Sequence, residues 1–186
     1  MNTKVILIHG SMGNTQENFW LPYVANELRK LGLTVIAKTF PDNKLARAKY
    51  WLPYIDALGA DENTILIGHS SGAIAAMRYA ENHKILGSVL VSTYCTDLND
   101  AEEKLSGYFN HPWNWEKIKE NQKWVVQFAS IDDPWIPIEE ARLIHEKLGS
   151  KYFEYASEGH FGFPKEKKEF PEIVEEVKKA LQMNAS

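Results

Sequence analysis

Thr64-Ile65-Leu66-Ile67-Gly68-His69-Ser70-Ser71-Gly72-Ala73-Ile74-Ala75-Ala76 is the stretch on which the reading of this chain turns. Thr64 to Ile67 is a continuous β-rich run rather than an alternating one, as in a strand buried on both faces. Small residues then open a helix, expected over Gly72 to Glu81. Between them lies G-x-S-x-G with Ser70 at its centre. A serine on a sharp strand-to-helix turn presents its hydroxyl clear of the backbone, and small residues on either side avoid collision where strand and helix nearly touch. The bare pattern arises by chance in roughly one chain of this length in twenty. Its position between a strand and a helix gives it meaning. Ser70 is the candidate nucleophile.

Outward from this turn, short β-rich runs alternate with helical patterns. Strands are expected at Val5 to Ile8, Leu33 to Ala37, Thr64 to Ile67, Gly87 to Val91, Trp124 to Ala129 and Tyr152 to Tyr155. Helices are expected from about Glu17 to Leu31, closed by Gly32, and over Ile138 to Leu148 and Pro171 to Leu181. Another is expected in the Ala46 to Leu58 region, with Asp42 as a possible cap and Pro53 as a kink or break. Repeated strand–helix units imply a parallel sheet covered on both faces. With 186 residues and no linker, repeat or low-complexity tract, residues 1–186 read as one α/β domain. Asp97 to Gln122 is too long for a plain connection; it is expected to hold small helices and to lie over the C-terminal ends of the strands.

Composition narrows the function classes. Twenty-one Lys plus Arg against 25 Asp plus Glu gives a formal net charge of −4, without long runs of either sign. Nucleic acid and membrane surfaces are therefore not expected partners. The one cysteine, Cys95, excludes an intrachain disulfide and a cysteine-rich metal site. The Val5 to Ile8 run is too short for a signal-peptide core. A soluble cytoplasmic protein is the expectation.

A serine nucleophile needs a base and an acid, in the chain order Ser, Asp or Glu, His on this kind of scaffold. Asp132 and Asp133 follow the fifth expected strand directly, and position alone leaves both open. Either could orient a histidine through Nδ1; Asp132 could instead brace the loop. His145 lies within a helical pattern, where a packed or exposed role is the plain reading. His160, in Glu158-Gly159-His160-Phe161-Gly162, lies between the sixth strand and the last helix and is the expected base. His9, His69, His83 and His111 do not fit the order; the side chain of His69 should point away from that of Ser70. His9-Gly10-Ser11-Met12-Gly13-Asn14 follows the first strand. One oxyanion donor is expected from the backbone N–H of Ser11 or Met12 and the other from that of Ser71. Tyr108, Phe109, Trp113, Trp115, Trp135 and Phe161 are candidate substrate contacts, with core packing as the equal alternative. No metal site and no cofactor are expected.

With these residues in place, the chain resembles the small single-domain serine hydrolases of the retinoblastoma-binding protein 9 family. The resemblance rests on Trp51-Leu52-Pro53, the elbow from Gly68 to Tyr79, Ser106-Gly107-Tyr108-Phe109 and Pro112-Trp113-Asn114-Trp115-Glu116-Lys117-Ile118. It implies an α/β-hydrolase fold: a three-layer αβα sandwich around a mostly parallel six-stranded sheet, with no large cap domain. It also implies that the acid is the one before proline, Asp133, and that His160 in Gly-His-Phe is the base. The implied activity is hydrolysis of a small-molecule acyl substrate, an ester, thioester or amide, with a non-catalytic interaction module on the same fold as the rival reading. The family's L-x-C-x-E contact with the retinoblastoma protein is not implied. The matching stretch is Leu58-Gly59-Ala60-Asp61-Glu62, with Ala60 where the cysteine would stand.

Overall fold

The computed structural model describes residues 3–183. Six strands form one sheet: β1 (Lys4–Ile8), β2 (Thr34–Ala37), β3 (Thr64–His69), β4 (Gly87–Val91), β5 (Val125–Ser130) and β6 (Lys151–Tyr155). The order is β2-β1-β3-β4-β5-β6, and every neighbouring pair is parallel, so the sheet is wholly rather than mostly parallel. Successive side chains of a strand point to opposite faces, which the apolar runs of β1 (residues 5–8) and β3 (residues 65–67) use to fill two cores at once. Val5, Leu7, Ile65 and Ile67 pack with α1 (Leu21–Lys30) and α7 (Pro171–Met183). Ile6, Ile8 and Leu66 pack with α2 (Ala48–Ala57), α3 (Ser71–Ala80), α5 (Trp115–Glu120) and α6 (Ile138–Leu148). The expected three-layer αβα sandwich is present, and among the described residues nothing on it forms a large cap.

Local chemistry moved several boundaries. α1 starts four residues after the expected Glu17, because Phe19 takes a positive φ of 56° and Pro22 suits the first turn. Asp42 does not cap α2, whose N-cap is Arg47. Asp42 instead accepts from the Arg47 backbone N–H at 3.1 Å and from its guanidinium at 2.8 Å to each carboxylate oxygen. Pro53 lies inside α2 without ending it. The segment from Asp97 to Gln122 holds two short helices, α4 (Ala101–Ser106) and α5, as expected of a connection that long. Asp100 caps α4 through the amides of Glu102 and Glu103, and Asn114 caps α5 through that of Lys117.

Chain order reverses direction at β1: β2 lies on one side of it and β3 on the other. In open parallel sheets, the crevice beyond the strand ends at such a point is where ligands bind. Ser70 and the loop after β1 meet there. A Cβ built on Gly10 would stand 3.4 Å from that of Ser70. Among the described residues, no helix is long and apolar enough to cross a membrane.

Candidate active site

Ser70 stands between β3 and α3 with φ 55° and ψ −121°, a strained conformation for a residue with a side chain. Its surroundings over-determine it. The Ser70 N–H donates to the Val91 carbonyl of β4 at 2.9 Å, and its own carbonyl accepts from the Ala73 and Ile74 amides at 2.9 and 3.3 Å. A Cβ on Gly68 would lie 2.3 Å from the Gly72 carbonyl oxygen, and one on Gly72 2.3 Å from that of Ile8. Only glycine lets strand and helix come this close on both sides of the serine.

Asp133 follows β5 and His160 follows β6, and the adjacent positions of those strands bring the two loops together. His160 Nδ1 lies 2.7 Å from Asp133 Oδ2, with side chains only 6% and 3% exposed. A carboxylate only accepts, so Nδ1 carries the proton and Nε2 keeps its lone pair. Ser92 Oγ donates to the same Asp133 oxygen at 3.0 Å. The other oxygen accepts from the Trp135 and Ile136 amides at 3.0 and 3.1 Å. Burial pushes the Asp133 carboxyl up, but the hydrogen bond and charge of His160, with the two amides, outweigh it and hold the group below its ordinary value.

Asp132 has the bracing part. Its Oδ1 accepts from Ser130 Oγ at 2.6 Å and from the Gly159 N–H at 2.8 Å, which fastens the loop after β5 to the loop after β6. His69 packs edge-on to Phe19 and Trp20, and its Nε2–H donates to the His160 carbonyl at 2.8 Å. Burial above all, with repulsion from His160 next, lowers its pKa to about 3. Sequence reasoning assigned no role to His69 or Ser92; their contacts with His160 and Asp133 join residues distant in the chain. His9 is also buried: Nδ1–H donates to the Gly10 carbonyl at 2.7 Å, while Nε2 accepts from the Phe40 amide at 2.8 Å. His145 stacks on Tyr152 with ring centroids 4.9 Å apart, the packed role expected of it.

The two oxyanion candidates of the first loop differ. The Met12 amide donates to the Lys44 carbonyl at 3.0 Å. Among the described residues, neither the Ser11 nor the Ser71 amide has an intramolecular acceptor. Ser71 lies in the first turn of α3, where backbone N–H groups are unpaired within the helix.

The aromatic candidates divide sharply. Phe161 and Tyr108 are fully buried, in opposite cores, and have no surface to offer a substrate. Phe161 stacks on Phe170, with centroids 5.3 Å apart. Trp113 lies under the Arg78 guanidinium at 3.6 Å and donates from Nε1 to the Cys95 carbonyl. Trp115 stacks on Trp113, and Phe109 packs between Tyr94 and Trp113, so all three pack the Asp97–Gln122 segment onto the domain. Trp135 is the one that stands beside the His160 ring, 4.7 Å between centroids. Among the described residues, no group of three or more His, Cys, Asp or Glu could hold a metal ion.

Comparisons with known proteins agree with this architecture. A family model described as serine hydrolase matches residues 5–179. The chain is 42% identical over 182 residues to serine hydrolase RBBP9 of Rattus norvegicus, covering 96% of each protein. Its structure is similar to the ydeN gene product of B. subtilis, with a TM-score of 0.86 at 24% identity over 97% of this chain and 100% of that one. It is also similar to mouse alpha/beta hydrolase domain-containing protein 10, with a TM-score of 0.72 at 16% identity over 97% and 90% of the two chains. This chain belongs to the serine hydrolase family and is a hydrolase of the α/β-hydrolase fold.

Proposed function

We propose that the enzyme cleaves a small ester, thioester or amide through an acyl-enzyme on Ser70, with His160 as base and Asp133 as the acid that orients it. The observation that carries this reading is the buried 2.7 Å contact between His160 Nδ1 and Asp133 Oδ2, which leaves Nε2 free to accept a proton. His160 takes the Ser70 proton as Oγ attacks the acyl carbonyl. The resulting oxyanion is held by the Ser71 and Ser11 amides, the latter favoured over Met12 because Met12 is engaged with Lys44. His160 then gives the proton to the leaving oxygen, nitrogen or sulfur, and the bond to that atom breaks. Water, deprotonated by the same nitrogen, attacks the acyl-enzyme, and Ser70 leaves with the proton. Asp133 stays ionised throughout and stabilises the imidazolium. The reaction needs no cofactor.

Labelling with a fluorophosphonate probe tests the assignment. Native protein is expected to take up the probe and Ser70→Ala protein to take up none. Equal labelling of the two removes Ser70 as nucleophile, and labelling of neither removes the serine-hydrolase mechanism from this site.

A further inference from the structure

Two exposed aromatic rings stand on the loops that carry the acid and the base. Trp135 is 44% exposed and Phe163 46% exposed, and their rings stack with centroids 4.7 Å apart and planes 13° apart. The far side of the pair is the His160 ring, which meets Trp135 edge-on at 4.7 Å. Large aromatic side chains on a surface forfeit the burial that makes them favourable, and when they cluster against polar catalytic groups they mark a binding wall.

The backbone that carries each ring is tied to the site. The Trp135 amide donates to Asp133 Oδ1 at 3.0 Å, and the Phe163 carbonyl accepts from the His160 amide at 2.7 Å. The stack is therefore carried on backbone tied to Asp133 and His160 themselves.

Which half of a substrate meets this wall follows from its side of the site. His160 must face the leaving atom in order to protonate it, whereas the oxyanion donors proposed above belong to the loop after β1 and the start of α3. We propose that the Trp135–Phe163 stack is the leaving-group subsite of this enzyme and selects substrates whose departing alcohol, thiol or amine carries a flat apolar group, such as a benzyl or aryl ring. This rests on the acyl-enzyme reading above. The bond broken is that between the acyl carbon and the leaving heteroatom; the electron pair goes to that atom, and the proton on His160 follows it.

Benzyl acetate and methyl acetate test the subsite, because both form the same acetyl-enzyme and differ only in the departing alcohol. The expected result is that Trp135→Ala and Phe163→Ala each lower the benzyl-to-methyl ratio of kcat/KM by roughly tenfold, the size of effect one apolar subsite contact supplies. Trp135→Phe, which retains a stacked ring, is expected to restore most of the ratio. Two results overturn the proposal: an unchanged ratio with both esters slowed alike, which makes Trp135 only a support for His160, or a change confined to acyl-chain preference between benzyl acetate and benzyl butyrate. Native protein that takes up no fluorophosphonate sinks the acyl-enzyme reading and the subsite together. Native labelling with an unchanged ratio sinks the subsite alone.

Discussion

At Asp133 the two carboxylate oxygens serve different partners: one holds His160 and Ser92, the other the Trp135 and Ile136 amides. Ser92 is buried, so no water readily takes the place of its hydroxyl. Ser92→Ala removes a charge-assisted donor from a carboxylate that has already lost most of its hydration. A loss of about 1.5–3 kcal/mol is expected at neutral pH, measured by urea unfolding of native and variant protein. A loss below about 0.5 kcal/mol, the size of an ordinary surface change, would show the hydroxyl to be dispensable. Asp132 and Asp133 illustrate what a sequence can and cannot separate at this scale. Position after the strand leaves the two alike, the family resemblance points to the one before proline, and in the fold Asp133 meets His160 while Asp132 holds the Gly159 amide.

Among the elements, α3 does more than carry Ser70 at its N-terminus. Arg78, near its other end, is 3% exposed and donates to the carbonyls of Tyr108, His111 and Pro112 at 2.7, 2.7 and 3.3 Å. It also pairs with Glu81 at 2.7 Å, and Glu81 accepts from the Asn114 amide at 2.8 Å. The long connection before β5 is thus fastened to the helix that follows Ser70. Arg78→Met leaves the Glu81 carboxylate buried without its cation, and a destabilisation of about 3–5 kcal/mol is expected in thermal or urea unfolding. Limited proteolysis of the folded variant should also find new cuts between residues 107 and 114; a variant as stable and as resistant as the native protein would overturn the clamp. The sequence showed that this segment was unusual in length and aromatic content. It did not show Arg78, because an arginine on a helix reads as a solvated side chain until another segment covers it.

Across the whole molecule, buried neutral histidines tie stability to pH. His69 titrates near 3 in the fold because burial above all disfavours its charged form, against 6.5 for an ordinary histidine, and burial lowers His9 as well. Between those two values the unfolded chain binds a proton that the fold refuses. The contribution is fully present above about pH 6.5 and is lost as pH falls toward 3. For His69 alone, acidifying from pH 7 to pH 5 is expected to remove about 2 kcal/mol. The lowered carboxyl of Asp133 acts in a separate, more acidic window: its stabilisation holds above its ordinary value of 3.8 and fails as pH drops through its lower value in the fold. His69→Gln should flatten the slope of unfolding free energy against pH between 6.5 and 4, whatever its effect on stability at pH 7. An unaltered slope would mean that other groups carry the acid sensitivity.

By itself, the sequence determined the six strands and their order along the chain, the parallel sheet, the Ser70 turn and the short list of candidates in Asp132, Asp133 and His160. Those are local properties: an uninterrupted apolar run, a glycine two residues to either side of a serine, a histidine between glycine and phenylalanine. Tertiary structure alone decided which neighbours share the work. It brought Ser92 to Asp133 and His69 to the His160 carbonyl, committed the Met12 amide to Lys44 and withdrew Phe161 and Tyr108 into the cores. Burial and hydrogen-bond partners are fixed by segments that meet after long separations in the chain; His69 and the His160 carbonyl are 91 residues apart. Residue type and spacing carry no record of such meetings.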